Sequence, residues 1–199
     1  VAAAARRLAR GPQRFTFGPM SDSPSRACGG CDACCTVMAV RELAKPTWTA
    51  CRHRPADRPG CSIWGEHPAS CRAFHCLWRS DPGLLPERLF PPDCGFLLSV
   101  GDLDRWPLAV QVCALPGRRH AWNTPENRAV FAELAAAWNC VVTITGEDGR
   151  ASHAFSPRGR VYSRTLNPEV FPQEGTAVAV PDADYGPDRR PARLRVAPV

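Results

Sequence analysis

The sequence predicts an α+β protein: a small, irregular, cysteine-rich metal-binding half packed against a small antiparallel sheet with one clear helix. Three observations predict it. Eight of the eleven cysteines lie between Cys28 and Cys76. Residues 125–138 carry the periodicity and the start signals of a helix. Around that helix, short β-branched or apolar runs alternate with Pro/Gly-rich turns, as small sheets require.

Taken in order, residues 1–24 form an Ala/Arg-rich leader, without an acid until Asp22. It is expected to be disordered and to be a start-site artefact, since Met20 begins a natural opening to the cysteine region; an organelle transit peptide is the alternative. Residues 25–180 are expected to be one compact domain, with a cysteine-cluster part over 25–83 and an α+β part over 84–180. Ser70–Trp78 has the spacing of a helix with Phe74 and Trp78 on one face. Asp81-Pro82-Gly83 marks a turn.

Gly95–Val100 reads as a short buried strand and Trp106–Leu115 as a second, stopped by Pro116-Gly117. In the helix at 125–138, Thr124 is a favourable N-cap, Pro125 suits the first helical position, and Glu126 suits the positive helix end. Asn127 stands where a capping box would want Glu. Val130, Phe131, Leu134 and Trp138 recur at helical spacing and should face the core. Cys140–Thr145 is β-branched, and Gly146-Glu147-Asp148-Gly149 turns it into Ala151–Phe155. Arg160–Arg164 and Thr176–Val180 are further candidate strands. The Pro-, Asp- and Arg-rich residues 181–199 read as a disordered tail.

Composition excludes several function classes. No run approaches the roughly 18–20 apolar residues that span a bilayer, so no membrane partner is expected. The formal charge is +6, but residues 1–20 hold four arginines and no acid, and residues 21–180 carry a net charge of only +1. A nearly neutral body argues against nucleic acid as a partner, because that affinity rests on neutralising phosphates. No Walker loop, GxGxxG, HExxH or GxSxG is present. Trp48, Trp64, Trp78, Trp106, Trp122 and Trp138 are read as core and lid residues rather than a base-stacking platform.

The chemistry lies in Cys28-x2-Cys31-x2-Cys34-Cys35, followed by Cys51, Cys61, Cys71 and Cys76. Disulfides and metal ligation compete for these residues. Disulfides need an oxidising compartment and fixed Cα separations; the apparent lack of a secretory signal, the odd total and four cysteines within eight residues favour metal, and a cytoplasmic location. In a C-x2-C turn two thiolates converge on one ion while backbone N–H groups offset their charge. On a regular helix Cys71 and Cys76 would point about 140° apart, so they reach one ion only through an irregular segment. Adjacent side chains such as Cys34 and Cys35 rarely bind the same ion. His53 and His75 are outside candidates as ligands. Cys113 and Cys140 read as small core residues, Cys94 as a turn residue, and His120 and His153 as isolated.

This pattern, together with Gly60-Cys61-Ser62-Ile63-Trp64-Gly65-Glu66-His67-Pro68-Ala69-Ser70-Cys71-Arg72-Ala73-Phe74-His75-Cys76, resembles the YkgJ-type cysteine-cluster family, a CxxCxxCC domain described as zinc- or iron-chelating. Trp64 replaces the family's usual tyrosine, and His67 the arginine before its proline. The resemblance covers about residues 28–80. It implies a metal site built from Cys28, Cys31, Cys34, Cys35, Cys51, Cys61, Cys71 and Cys76. Zinc is the first expectation, iron or a [4Fe-4S] cluster the alternative, and copper(I) the third choice. A binding or accessory role is expected ahead of an iron–sulfur enzyme of group transfer or redox chemistry, and ahead of a nucleic-acid-binding zinc module.

Overall fold

The computed structural model describes residues 26–80, 82–103, 106–165 and Asp184. The proposed leader, the strand at 176–180, Asp81 of the 81–83 turn and, apart from Asp184, the proposed tail lie outside the described residues. Four short helices come first: α1 (Ala33–Val37), α2 (Ala69–Ala73), α3 (Leu77–Ser80) and α4 (Pro91–Cys94). Strands β1 (Phe96–Leu103) and β2 (Trp106–Ala114) follow, then α5 (Pro125–Trp138), β3 (Val141–Thr145), β4 (Ala151–Phe155) and β5 (Val161–Ser163). The fold is therefore α+β with a small sheet, five-stranded among the described residues, in the order β1-β2-β3-β4-β5.

The sheet differs from expectation in one respect: it is mixed. Three neighbouring pairs are antiparallel, but β2 runs parallel to β3, with Ala109 opposite Val141 and Cys113 opposite Thr145. The reason is topological. Parallel neighbours need a crossover long enough to return the chain to the same end of the sheet, and α5 is that crossover.

Helix α5 begins and ends where its residues dictate. The Thr124 hydroxyl accepts from the Asn127 N–H, and Asn139 closes the helix in the left-handed conformation. Asn127 does more than replace a capping Glu: its amide donates to the Ala121 carbonyl, and its side-chain oxygen accepts from Arg88. Phe131, Leu134, Ala135 and Trp138 are buried, with Val130 half-buried beside them. They pack on alternate residues of the sheet: Phe96, Leu98, Val110, Val112, Val142, Ile144 and Phe155. Phe131 lies edge-on to both Phe96 and Phe155, each with centroids 5.6 Å apart.

Period-two alternation sends the intervening residues to the opposite face, where Leu97 and Cys113 pack with Val37 of α1. Leu77 and Trp78 of α3 join the α5-side cluster instead. Cys76, just before α3, packs against both clusters, so the cysteine-rich segment reaches both faces of the sheet. This explains why Ser70–Trp78 is two helices rather than one. Phe74 packs toward Val37 and Leu97 whereas Trp78 packs on the other side. One helical face cannot serve both faces of a sheet, and the chain turns extended at Phe74 (ψ 121°).

Trp78 and Trp122 are buried with Trp138, and Trp48 is half-buried with its indole N–H on the Ala114 carbonyl. Trp64 departs from the core-and-lid expectation: it is 64% exposed and stacked on His67. The side chain of Trp106 lies outside the described residues. Among the described residues no helix is long and apolar enough to cross a membrane.

Candidate metal centre

All eleven cysteines are free thiols. The first two flank a tight turn: the Cys31 N–H donates to the Cys28 carbonyl at 2.9 Å, with Gly29 at φ +54°, a conformation that favours glycine. One turn on, α1 buries Ala33 and Val37, which leaves Cys34 and Cys35 on its flanks, about 100° apart around the axis. The loop after α1 folds back so that the Cys51 N–H donates to the Cys35 carbonyl at 2.9 Å. The Ser62 N–H then donates to the His53 carbonyl at 2.8 Å, which sets Cys61 beside the turn at Cys51. Ser70 donates twice to the Glu42 carboxylate, from its N–H at 3.0 Å and its hydroxyl at 2.7 Å, fixing the start of α2 and Cys71 against the same loop.

Cys76 is placed by a longer-range device. The Arg26 guanidinium donates to the carbonyls of Trp78 (3.0 Å), Pro82 (2.8 Å) and Leu85 (3.0 Å) and lies 4.7 Å from the Trp78 ring centroid. Arg26 is two residues before Cys28, and Trp78 is two residues after Cys76. The clamp therefore draws the first and last cysteines of the motif together.

The electrostatics follow this arrangement. Burial pushes the Cys31 thiol up to about 12, helped by the neighbouring Cys76 and Cys28. Cys76 is raised by burial and then by Cys28. Cys71 is raised by burial, with Cys35 and Cys51 as its charged neighbours. The thiols of Cys34 and Cys35 share a hydrogen bond, which holds Cys34 protonated and lowers Cys35 to about 7. Lys45 and Arg54 add to the lowering of Cys35.

Lys45 is the single lysine of the chain, and it is buried. Its ammonium donates to the carbonyls of Thr36, Met38 and Pro46. Burial depresses its pKa, opposed by Cys51, Cys35, Cys34 and Cys71. Arg54 is held by an ion pair to Asp32. These cations suit a cluster of thiolates, because four thiolates around a divalent ion leave a net charge of −2 to be offset. The donor chemistry thus fits a thiophilic metal. The side chains do not form a closed cage: among the described residues no group of three or more His, Cys, Asp or Glu is arranged to hold an ion.

The two histidine candidates sit differently. His53 accepts from the Arg52 side chain at 3.3 Å. His75 is half-buried, and burial and Arg79 lower its pKa. Cys113 and Cys140 are buried as expected, with thiols pushed up to about 12, whereas Cys94, expected in a turn, is the last residue of α4, its thiol donating to the Phe96 carbonyl. Sequence reading missed Arg26 and Lys45. The available signal for Lys45 was its solitude in a chain whose other basic residues are all arginine.

The chain matches no protein-family model, no curated protein and no solved structure.

Proposed function

We propose that this protein is a metal-binding cysteine-cluster protein of the YkgJ type, whose residues 26–80 take up zinc through Cys28, Cys31, Cys34, Cys35, Cys51, Cys61, Cys71 and Cys76. One observation carries the reading. Residues 26–73 hold seven of these thiols yet bury only four apolar residues, Ala33, Val37, Val40 and Cys51. A segment with so small a core needs a staple. Bound zinc supplies one, at about 10–16 kcal/mol near pH 7. The protein's role is that of a binding or accessory protein in the reducing cytoplasm, where the thiols stay available to metal. Its partner is the metal ion itself.

Elemental analysis of anaerobically purified protein, read with absorbance near about 400 nm, tests this. Zinc bound without visible absorbance is the expected result. A brown, iron-containing protein would replace zinc by an iron–sulfur cluster. Reduced protein without any metal, and unable to take it up, would refute the reading.

A further inference from the structure

We propose that the turn at residues 63–66 is a docking point for a partner protein: the Trp64 indole anchors an apolar side chain of an acidic segment, whose carboxylates meet Arg52 and Arg72. The inference stands beside the metal-binding reading and does not depend on it.

The turn is built to hold its tip residue in place. The Glu66 N–H donates to the Ile63 carbonyl at 3.0 Å, closing a four-residue turn with Trp64 and Gly65 at its centre. Gly65 has φ +97°, the left-handed conformation that the third position of a type II turn requires. His67 then folds back against the indole. The two rings stack with centroids 5.0 Å apart and 17° between their planes, and the Gly65 N–H donates to His67 Nδ1 at 3.1 Å. The His67 carbonyl in turn accepts from Arg72 at 2.6 Å. Trp64 is nonetheless 64% exposed, and among the described residues Val161 is the only other exposed large apolar side chain. A scattered apolar side chain on a surface is ordinary. An indole stacked in one orientation has already lost the freedom that binding costs a mobile side chain, and tryptophan is among the residues that carry most interface energy.

The charge around the turn selects the partner. Residues 51–72 hold Arg52, Arg54, Arg58 and Arg72 against Asp57 and Glu66, a net charge of +2, so the rest of residues 21–180 carries −1. Arg54 is committed to Asp32. Arg52 is exposed beside His53, and the Ser62 N–H on the His53 carbonyl ties that stretch to the start of the tryptophan turn. Arg72, also exposed, reaches the same loop through the His67 carbonyl. Cations beside a fixed apolar anchor are matched by carboxylates beside an apolar residue. One indole and a net charge of +2 fall short of what nucleic acid demands, where affinity grows with each phosphate neutralised; a protein segment is the occupant.

The test is selection of a displayed library of random short peptides on the full chain, followed by titration of the chain with the enriched sequences. These should carry an apolar residue flanked by Asp or Glu. Trp64→Ala should weaken the best of them about 30-fold, while leaving the urea midpoint and the metal content unchanged, since the ring is largely exposed. His67→Ala keeps the indole but frees it, and should weaken binding several-fold. Arg52→Gln and Arg72→Gln should each weaken binding and flatten its fall with rising salt. A selection that enriches nothing, or peptides that bind Trp64→Ala as tightly as wild type, would overturn the proposal. So would an oligothymidylate bound through Trp64 more tightly than any peptide, which would make the occupant a nucleic acid. A dimer in sedimentation that Trp64→Ala abolishes would overturn it too, by making the occupant a second copy of the chain.

Discussion

Replacing Arg26 by methionine keeps most of the side-chain stem and removes the clamp between the two ends of the cysteine motif. The loss can be worked from its contacts. Two of its carbonyl partners, Trp78 and Leu85, are partly buried, and a hydrogen bond from a charged donor contributes about 1.5–3 kcal/mol. The Pro82 carbonyl is exposed and rehydrates when freed. The cation–π contact on Trp78 adds about 0.5–1 kcal/mol. The ion pair to Glu87 adds little, because that carboxylate is 78% exposed. Against these, the Arg26 Nε is buried without a partner, and its removal relieves about 1 kcal/mol. The net expectation is a destabilisation of about 2.5–6 kcal/mol, a large part of a domain's usual 5–15 kcal/mol. In urea unfolding of the reduced, metal-free chain, the midpoint should fall by at least about 1 M, given slopes of about 1–3 kcal/mol per molar. Arg26→Lys should recover only part of this, since an ammonium cannot reproduce the guanidinium fork. An Arg26→Met unfolding free energy within about 0.5 kcal/mol of wild type would refute the idea that this residue fastens the motif.

Two further outcomes concern the α+β core. Phe131→Ala removes a fully buried ring wedged between Phe96 and Phe155, and should cost about 3–5 kcal/mol in the same unfolding assay; a smaller loss would mean that the cluster collapses around the gap. His153 packs on Trp122, and burial first, then Arg128 and His120, lower its pKa below 6.5. The unfolded chain therefore takes up that proton first, so stability from this group is full above 6.5 and is lost as pH falls below it. In metal-free protein, His153→Gln should flatten the fall in thermal midpoint from about pH 7.5 to about pH 5.5; an unchanged slope would show that other groups govern it.

Much of the α+β part was legible because its signals are local. Thr124-Pro125-Glu126 announces the start of α5, and Phe131, Leu134 and Trp138 fix its buried face within a few residues of one another. The same locality placed β3, β4 and β5. What escaped depends on distant partners. The parallel pairing of β2 with β3 follows from the helix between them, but only once both strands are known to be neighbours. The break at Phe74 arises because Phe74 and Trp78 serve opposite faces of a sheet encoded later in the chain. At the candidate site, spacing identified the thiols as a group. Where the backbone carries them depends on contacts of Arg26, Glu42 and Lys45, which join residues up to 59 positions apart. Trp64 shows the converse: an aromatic side chain reads as core by composition, yet its loop contributes no apolar surface to cover it.

Amide hydrogen exchange on the full chain, anaerobically purified with its metal content measured, should be compared before and after verified chelation. Metal removal should strip protection from residues 26–73 while β1–β4 and α5 keep theirs, because the sheet and its helix have a core of their own and the cysteine segment does not. Unchanged protection across residues 26–73 after the metal has gone would show that the segment holds its shape without it, and that its thiols serve some other purpose.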